Sequence, residues 1–220
     1  MRIDPIVDYE KHYIRRAWYR CIKKILDIFF GIIGCILCIP LIIVTKIAYM
    51  CCGDFNKILF SQKRIGKNGK LITIYKLRTM VPNADEQLQT MLKKDKKLAE
   101  EYNKYKKLHD DPRITKIGKA LRVASLDEFP QFFNLLIGNM SIVGPRPYLP
   151  REKQDMGNYY DIIIKTKPGI TGYWQVNGRN DTDFKYRLEL DKYYSIHKTI
   201  TMDIKIIIKT VKQIIFRNGL

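Results

Sequence analysis

IFFGIIGCILCIPLIIVT, residues 28–45, runs for eighteen residues without a charge. That is the lower edge of what spans a bilayer as a helix, and the reading of this run decides the fold. A signal peptide fits poorly. The basic region before the run is long, and Lys46, Tyr49 and bulky residues follow where a small-residue cleavage site would stand. The flanks narrow the choice further. Arg15, Arg16, Arg20, Lys23 and Lys24 precede the run, and Lys57, Lys63, Arg64, Lys67 and Lys70 follow it. Basic residues mark the cytoplasmic side of a membrane, so enrichment on both flanks suggests that both ends stay there. Pro40 removes a backbone hydrogen bond and its ring clashes with the carbonyl four residues earlier. The expectation is a helix-break-helix over residues 25–52, broken at Pro40, that enters one leaflet and returns. A kinked helix that crosses the membrane remains the alternative.

Outward from this run the composition is basic. Across 220 residues there are 40 Lys and Arg against 22 Asp and Glu, a formal net charge of +18. Such an excess points to an anionic partner: nucleic acid, anionic lipid headgroups or a phosphorylated small substrate. All five cysteines fall in the first quarter of the chain, in or beside apolar sequence, which argues against a secreted disulfide framework. Residues 1–24 read as a basic juxtamembrane segment and residues 53–220 as one cytoplasmic domain.

Within that domain, FNKILFSQKRIG and KLITIYKLRTM have strand character and are separated by the turn-like Gly66-Lys67-Asn68-Gly69, which predicts a β-hairpin. Residues 83–109 are strongly charged, with Leu88, Leu92, Tyr102, Tyr105 and Leu108 at mostly helical spacing, a helix or pair of helices. In the C-terminal TMDIKIIIKTVKQIIFRNGL, isoleucines line one helical face and Lys205, Lys209 and Lys212 the other. That pattern suits an interfacial helix, or an ordinary helix on a core. The expected fold class is α+β, mainly helical.

One acidic pair stands out against the basic background. SLDEFPQFF, residues 125–133, sets Asp127 beside Glu128. Ser125-x-x-Glu128 matches a capping box, and a carboxylate at a helix N-terminus is favoured in its ionised form. An ionised carboxylate can be a plain cap, a nucleophile or a ligand for a divalent ion. Lys76 and Arg78 would project from one face of a strand. Arg146 is held between Pro145 and Pro147, and Arg179 lies in the tight turn Asn177-Gly178-Arg179-Asn180. Arginines on stiff turns suit bidentate phosphate recognition. There is no P-loop and no GxGxxG. The aromatics do not interleave with the basic residues as a nucleic-acid stacking platform would.

SLDEFPQFFN, GNMSIVGPRP at 138–147, IYKLRTM at 74–80 and KPGITGYWQVNGRN at 167–180 together resemble the bacterial sugar transferases, the monotopic phosphoglycosyl transferases. The resemblance runs from about Tyr19 to the C-terminal helix. It implies an enzyme on the cytoplasmic face of the bacterial inner membrane that moves a sugar-1-phosphate from a UDP-sugar to undecaprenyl phosphate and releases UMP, at the start of capsular or exopolysaccharide synthesis. By this resemblance Asp127 is the nucleophile that forms a phosphosugar intermediate, and Glu128 is its partner, as base or in organising Mg²⁺. Lys76, Arg122, Arg146 and Arg179 fall at basic positions that hold the diphosphate and uridine end. Larger members add a multi-span N-terminal region, so this chain looks like the minimal catalytic form. The family's membrane segment commonly has Ser before the break proline, where this chain has Ile39. The competing reading from another class is a basic, non-enzymatic module docked on the membrane.

Overall fold

The computed structural model describes residues 5–178 and 183–216, with side chains from Ala17 onward. Helix α1, Pro5–Cys51, is continuous over 47 residues and contains Pro40. This corrects the expected break. Proline's fixed φ is compatible with a helix, and the lost bond to the Ile36 carbonyl and the crowding of that carbonyl do not interrupt the helix here. Packing on both sides of the proline holds the element together, since Cys38 is fully buried and Thr45 nearly so. The juxtamembrane and membrane segments expected at 1–24 and 25–52 therefore share one helix in their described part.

A single stripe of α1 is buried, made by Asp27, Gly31, Gly34, Cys35, Cys38, Thr45 and Tyr49. The opposite side exposes Ile28, Phe29, Ile32, Ile33, Ile36, Ile39, Ile43 and Ile47. Among the described residues this is the one helix long and apolar enough to cross a membrane.

The predicted hairpin is present. Strands β1, Leu59–Ile65, and β2, Leu71–Leu77, pair antiparallel with Arg64 opposite Ile72 and Phe60 opposite Lys76. A turn of 3₁₀ helix at Lys67–Gly69 joins them. Alternation in β2 buries Ile72 and Ile74, so Lys76, two residues on, shares their inward face. The charged stretch forms two helices, α2 at Ala84–Lys94 and α3 at Lys96–Tyr105. Helix α4 at Lys116–Val123 follows, then a 3₁₀ segment, Leu126–Gln131, that runs straight into α5 at Phe132–Ile137.

A second two-stranded sheet is parallel, pairing β3, Ser141–Val143, with β4, Gly169–Thr171. The chain between them carries the short helices α6, Lys153–Met156, and α7, Tyr160–Ile163. Helix α8, Tyr173–Asn177, α9, Phe184–His197, and α10, Ile200–Ile215, complete the chain. One apolar core joins Ile72, Ile74, Leu135, Met140, Val143, Tyr194 and Ile206. A second gathers Ile65, Tyr148, Met156, Ile163, Phe184 and Leu188.

The domain grips α1 along its length. Lys23 Nζ binds Asp203 Oδ2 at 2.7 Å and the Val143 carbonyl at 2.9 Å. Asp27 Oδ1 accepts from Ser141 Oγ and from the Ile142 N–H, both at 2.8 Å. In the middle α5 docks onto the two glycines. A Cβ at Gly34 would lie 2.1 Å from the Phe132 ring, and one at Gly31 would lie 2.7 Å from Leu136. At the far end Tyr49 Oη donates to the Arg78 carbonyl at 2.7 Å and lies 2.9 Å from Thr115 Oγ1.

Candidate active site

Lys76 is a cation on the core-facing side of a strand, and its partner comes from the acidic pair. Its Nζ lies 2.6 Å from Glu128 Oε1, with the Lys76 side chain a quarter exposed and that of Glu128 about a third. Burial pushes the Glu128 carboxyl up, but Lys76 and then Arg146 outweigh it, and the group sits below the usual carboxylate range. Asp127 behaves oppositely. It is 9% exposed; burial raises its carboxyl, Lys76 opposes, Glu128 adds to the rise and Arg122 opposes again, leaving a net upward shift. Desolvation thus outweighs the basic surroundings that were expected to favour the ionised form.

The expected capping box is also absent. Ser125 stands at the N-cap position with φ 56° and makes no side-chain cap bond, and Glu128 turns to Lys76 instead. The left-handed Ser125 closes the end of α4, where its N–H bonds the Arg122 carbonyl at 3.0 Å. Pro130 lies inside the 3₁₀ turn that follows. The turn carries both carboxylates into the space between β2, α4 and α1.

Arg122, in the last turn of α4, donates from Nε to Thr79 Oγ1 at 3.0 Å. This approach depends on Gly118, where a Cβ would lie 2.0 Å from the Thr79 carbonyl oxygen. Arg146 follows β3 and is aimed by its backbone. Its N–H donates to Asp191 Oδ2 at 3.0 Å, and Tyr148 Oη donates to the same oxygen at 2.7 Å. The guanidinium lies 5.8 Å from the centre of the Trp174 ring. It makes no hydrogen bond or ion pair among the described residues.

Lys76, Glu128 and Arg146 line one open cavity together with Arg64, Gln131 and Gln175. Asp127 and Arg122 lie beside it, close enough for Arg122 and Lys76 to act on the Asp127 charge. Arg179 lies outside the described residues. Pro40 is on the exposed side of α1 and takes no part in the cavity. Arg78, expected to share a face with Lys76, falls just past the end of β2. It is a structural tie, bonding Asp54 Oδ2 at 2.8 Å and the Lys57 carbonyl at 2.9 Å.

The sequence reading assigned Arg64 to the basic flank and passed over Gln131. The hairpin register carried the missing signal for Arg64. A residue directly opposite inward-facing Ile72 must itself face inward.

No group of three or more His, Cys, Asp or Glu side chains able to hold a metal occurs among the described residues. Asp127 and Glu128 are the donor type of sites in which one or two carboxylates hold Mg²⁺ together with substrate phosphates. A cation-lined cavity can bind a phosphorylated ligand, and a carboxylate beside it can present an oxygen to the phosphorus.

The chain belongs to the bacterial sugar transferase family, whose match covers residues 18–217. It is similar to the undecaprenyl-phosphate galactose phosphotransferase of Salmonella typhimurium, at 40% identity over 200 residues, 91% of this chain and 42% of that protein. It is similar also to the galactosyl transferase CpsE of Streptococcus agalactiae, at 40% identity over 200 residues, 90% of this chain and 43% of that protein. The exopolysaccharide production protein ExoY of Sinorhizobium fredii is 35% identical over 197 residues, 90% of this chain and 87% of that protein. The chain thus spans less than half the length of the first two relatives and most of the third.

Proposed function

We propose that this protein transfers a hexose-1-phosphate from a UDP-sugar to undecaprenyl phosphate, releasing UMP, for the synthesis of a capsule or exopolysaccharide. The observation that carries the reading is the cavity in which Lys76, Glu128 and Arg146 converge beside a buried Asp127. The name of the Salmonella typhimurium relative supports undecaprenyl phosphate as acceptor, and two of the relatives' names specify galactose.

The chemistry proceeds in two displacements. A carboxylate oxygen of Asp127 attacks the β-phosphorus of the donor, and the bond from that phosphorus to the bridging oxygen breaks. UMP leaves with the electron pair. The phosphate oxygen of the lipid then attacks the same phosphorus and returns the Asp127 carboxylate. Arg146, whose guanidinium makes no ion pair among the described residues, binds phosphate oxygens. Lys76 positions Glu128 and, with Arg122, stabilises charge near Asp127. Asp127 and Glu128 would hold Mg²⁺ with the diphosphate, and when bound the ion would neutralise charge on the phosphates.

The attachment to the membrane is monotopic, on the cytoplasmic face. Lys23 and Tyr49 are 26 residues apart in α1, about 39 Å of straight helix, yet both bond the same domain. A crossing helix would put these contacts on opposite sides of the bilayer. A helix lying along the domain with its outer face in lipid satisfies both, and the two basic flanks agree.

Membrane fractions assayed with a panel of UDP-sugars should release UMP from at least one of them when undecaprenyl phosphate is present. Absence of UMP release across the whole panel would favour the non-enzymatic membrane module.

A further inference from the structure

Arg64 is 92% buried by its 8% relative exposure and has no ion-pair partner among the described residues. One terminal nitrogen donates to the Pro147 carbonyl at 3.0 Å and the other to Gln62 Oε1 at 2.5 Å, both neutral acceptors. Its Nε has no hydrogen-bond partner. A buried cation without a counter-charge is costly, and here a second guanidinium, Arg146, lines the same cavity. Burial and then the Arg146 charge push Arg64 down to about 10. Among the described residues the one carboxylate lining the cavity, Glu128, is already bound to Lys76. Gln131 adds another buried donor there. Its Nε2 is near enough to Glu128 to favour that charge but short of hydrogen-bond geometry, and has no partner.

The cavity therefore holds two guanidiniums that make no ion pair among the described residues, with Glu152 and Glu128 acting on Arg64 only at longer range, and Arg64 Nε and Gln131 Nε2 find no hydrogen-bond partner there. An occupant that balances this set carries negative charge on several acceptor oxygens. The Arg146 loop is tied to β1 independently of the Arg64 side chain, by the Ile65 N–H on the Tyr148 carbonyl at 2.8 Å.

We infer that Arg64 is a phosphate-binding residue, forming with Arg146 a two-guanidinium seat for a phosphate group in this cavity. This deepens the transferase reading and rests on it for the identity of the ligand. Two phosphates of that reaction share the chemistry, the diphosphate of the nucleotide and the phosphate of the lipid acceptor. The dependence of each on Arg64 tells them apart.

The test is titration of the detergent-solubilised full chain with UDP and, separately, with a short-chain polyprenyl phosphate, for the wild type and for Arg64→Gln and Arg64→Lys. Thermal unfolding of each protein is followed without ligand. Arg64→Gln should weaken one of the two ligands by roughly 10- to 100-fold, and Arg64→Lys should weaken it less. Loss of UDP affinity identifies the donor's diphosphate, and loss of polyprenyl phosphate affinity the acceptor's phosphate. Without ligand, Arg64→Gln should unfold no earlier than the wild type, since it removes an uncompensated charge. Unchanged affinity for both ligands, or a fall in unliganded Tm with affinity kept, would overturn the inference. If Arg64→Gln weakens UDP binding while the wild type releases no UMP from any UDP-sugar, the phosphate seat stands and the transferase reading fails. If UMP release is normal and Arg64→Gln binds as the wild type does, the reverse holds.

Discussion

Asp191 shows how strongly this interior acts on a single carboxyl group. It is fully buried and accepts from the Arg146 N–H and Tyr148 Oη, yet burial outweighs those bonds and raises it to about 7. Between the ordinary carboxylate range and about 7 the folded chain keeps a proton that the unfolded chain has lost. Stability contributed by this group is present at low pH and falls as pH rises through that window, on the order of a few kcal/mol. Thermal unfolding as a function of pH should show this fall in the wild type and a flatter profile in Asp191→Asn, whose side-chain oxygen can still accept both bonds. Arg146 lies one hydrogen bond away, and the proposed chemistry gives it the substrate's phosphate. Arg146→Ala should lower kcat/KM for the UDP-sugar by roughly 10- to 100-fold and leave Tm nearly unchanged, because its guanidinium holds no hydrogen bond or ion pair among the described residues. Lys76 was legible in the sequence as a cation on one face of a strand, and the burial of Ile72 and Ile74 shows that face to be the inward one. Arg64 needed the register as well, and Gln131 gave no chemical signal, since its role depends on which side chains the 3₁₀ turn places around it.

At the scale of elements, the docking of α5 on α1 makes an unusual demand. Glycine inside a helix ordinarily costs about 0.5–1 kcal/mol relative to alanine, so Gly34→Ala would stabilise a free helix. Here a Cβ would fall 2.1 Å from the Phe132 ring, and overpacking of this kind costs about 1–3 kcal/mol. Gly34→Ala should therefore lower the unfolding temperature of the solubilised protein; a raised temperature would mean that α5 does not seat there. The elements also show where local sequence rules stopped. The hairpin was readable because alternation and a Gly-x-x-Gly turn agree. The break at Pro40 was not borne out, because long-range contacts on either side of the proline hold one helix. The capping box failed for a similar reason, as Lys76 from a distant strand competes for Glu128. The three-residue strands β3 and β4 carry too little pattern to be read without their partner.

For the whole molecule, α1 is held by polar contacts at both ends and by α5 between them, leaving an apolar side that continues no protein core. Its cysteines provide a built-in test of topology. Cys21 near one flank and Cys51 near the other are exposed, whereas Cys35 and Cys38 are buried. A membrane-impermeant maleimide added outside intact cells should label neither flank and should label both in inverted vesicles. Labelling of one flank from outside would show that the helix crosses. The central claim is that Asp127 carries the phosphosugar between a soluble donor and a lipid acceptor. It is tested most directly by intact-mass spectrometry of the purified protein after incubation with a UDP-sugar and no polyprenyl phosphate. The wild type should gain the mass of one hexose phosphate, mapped to the peptide containing SLDEFPQFF and lost again on adding undecaprenyl phosphate, while Asp127→Asn stays folded and gains nothing. Turnover by Asp127→Asn at the wild-type rate, or an adduct on any other residue, would contradict the account.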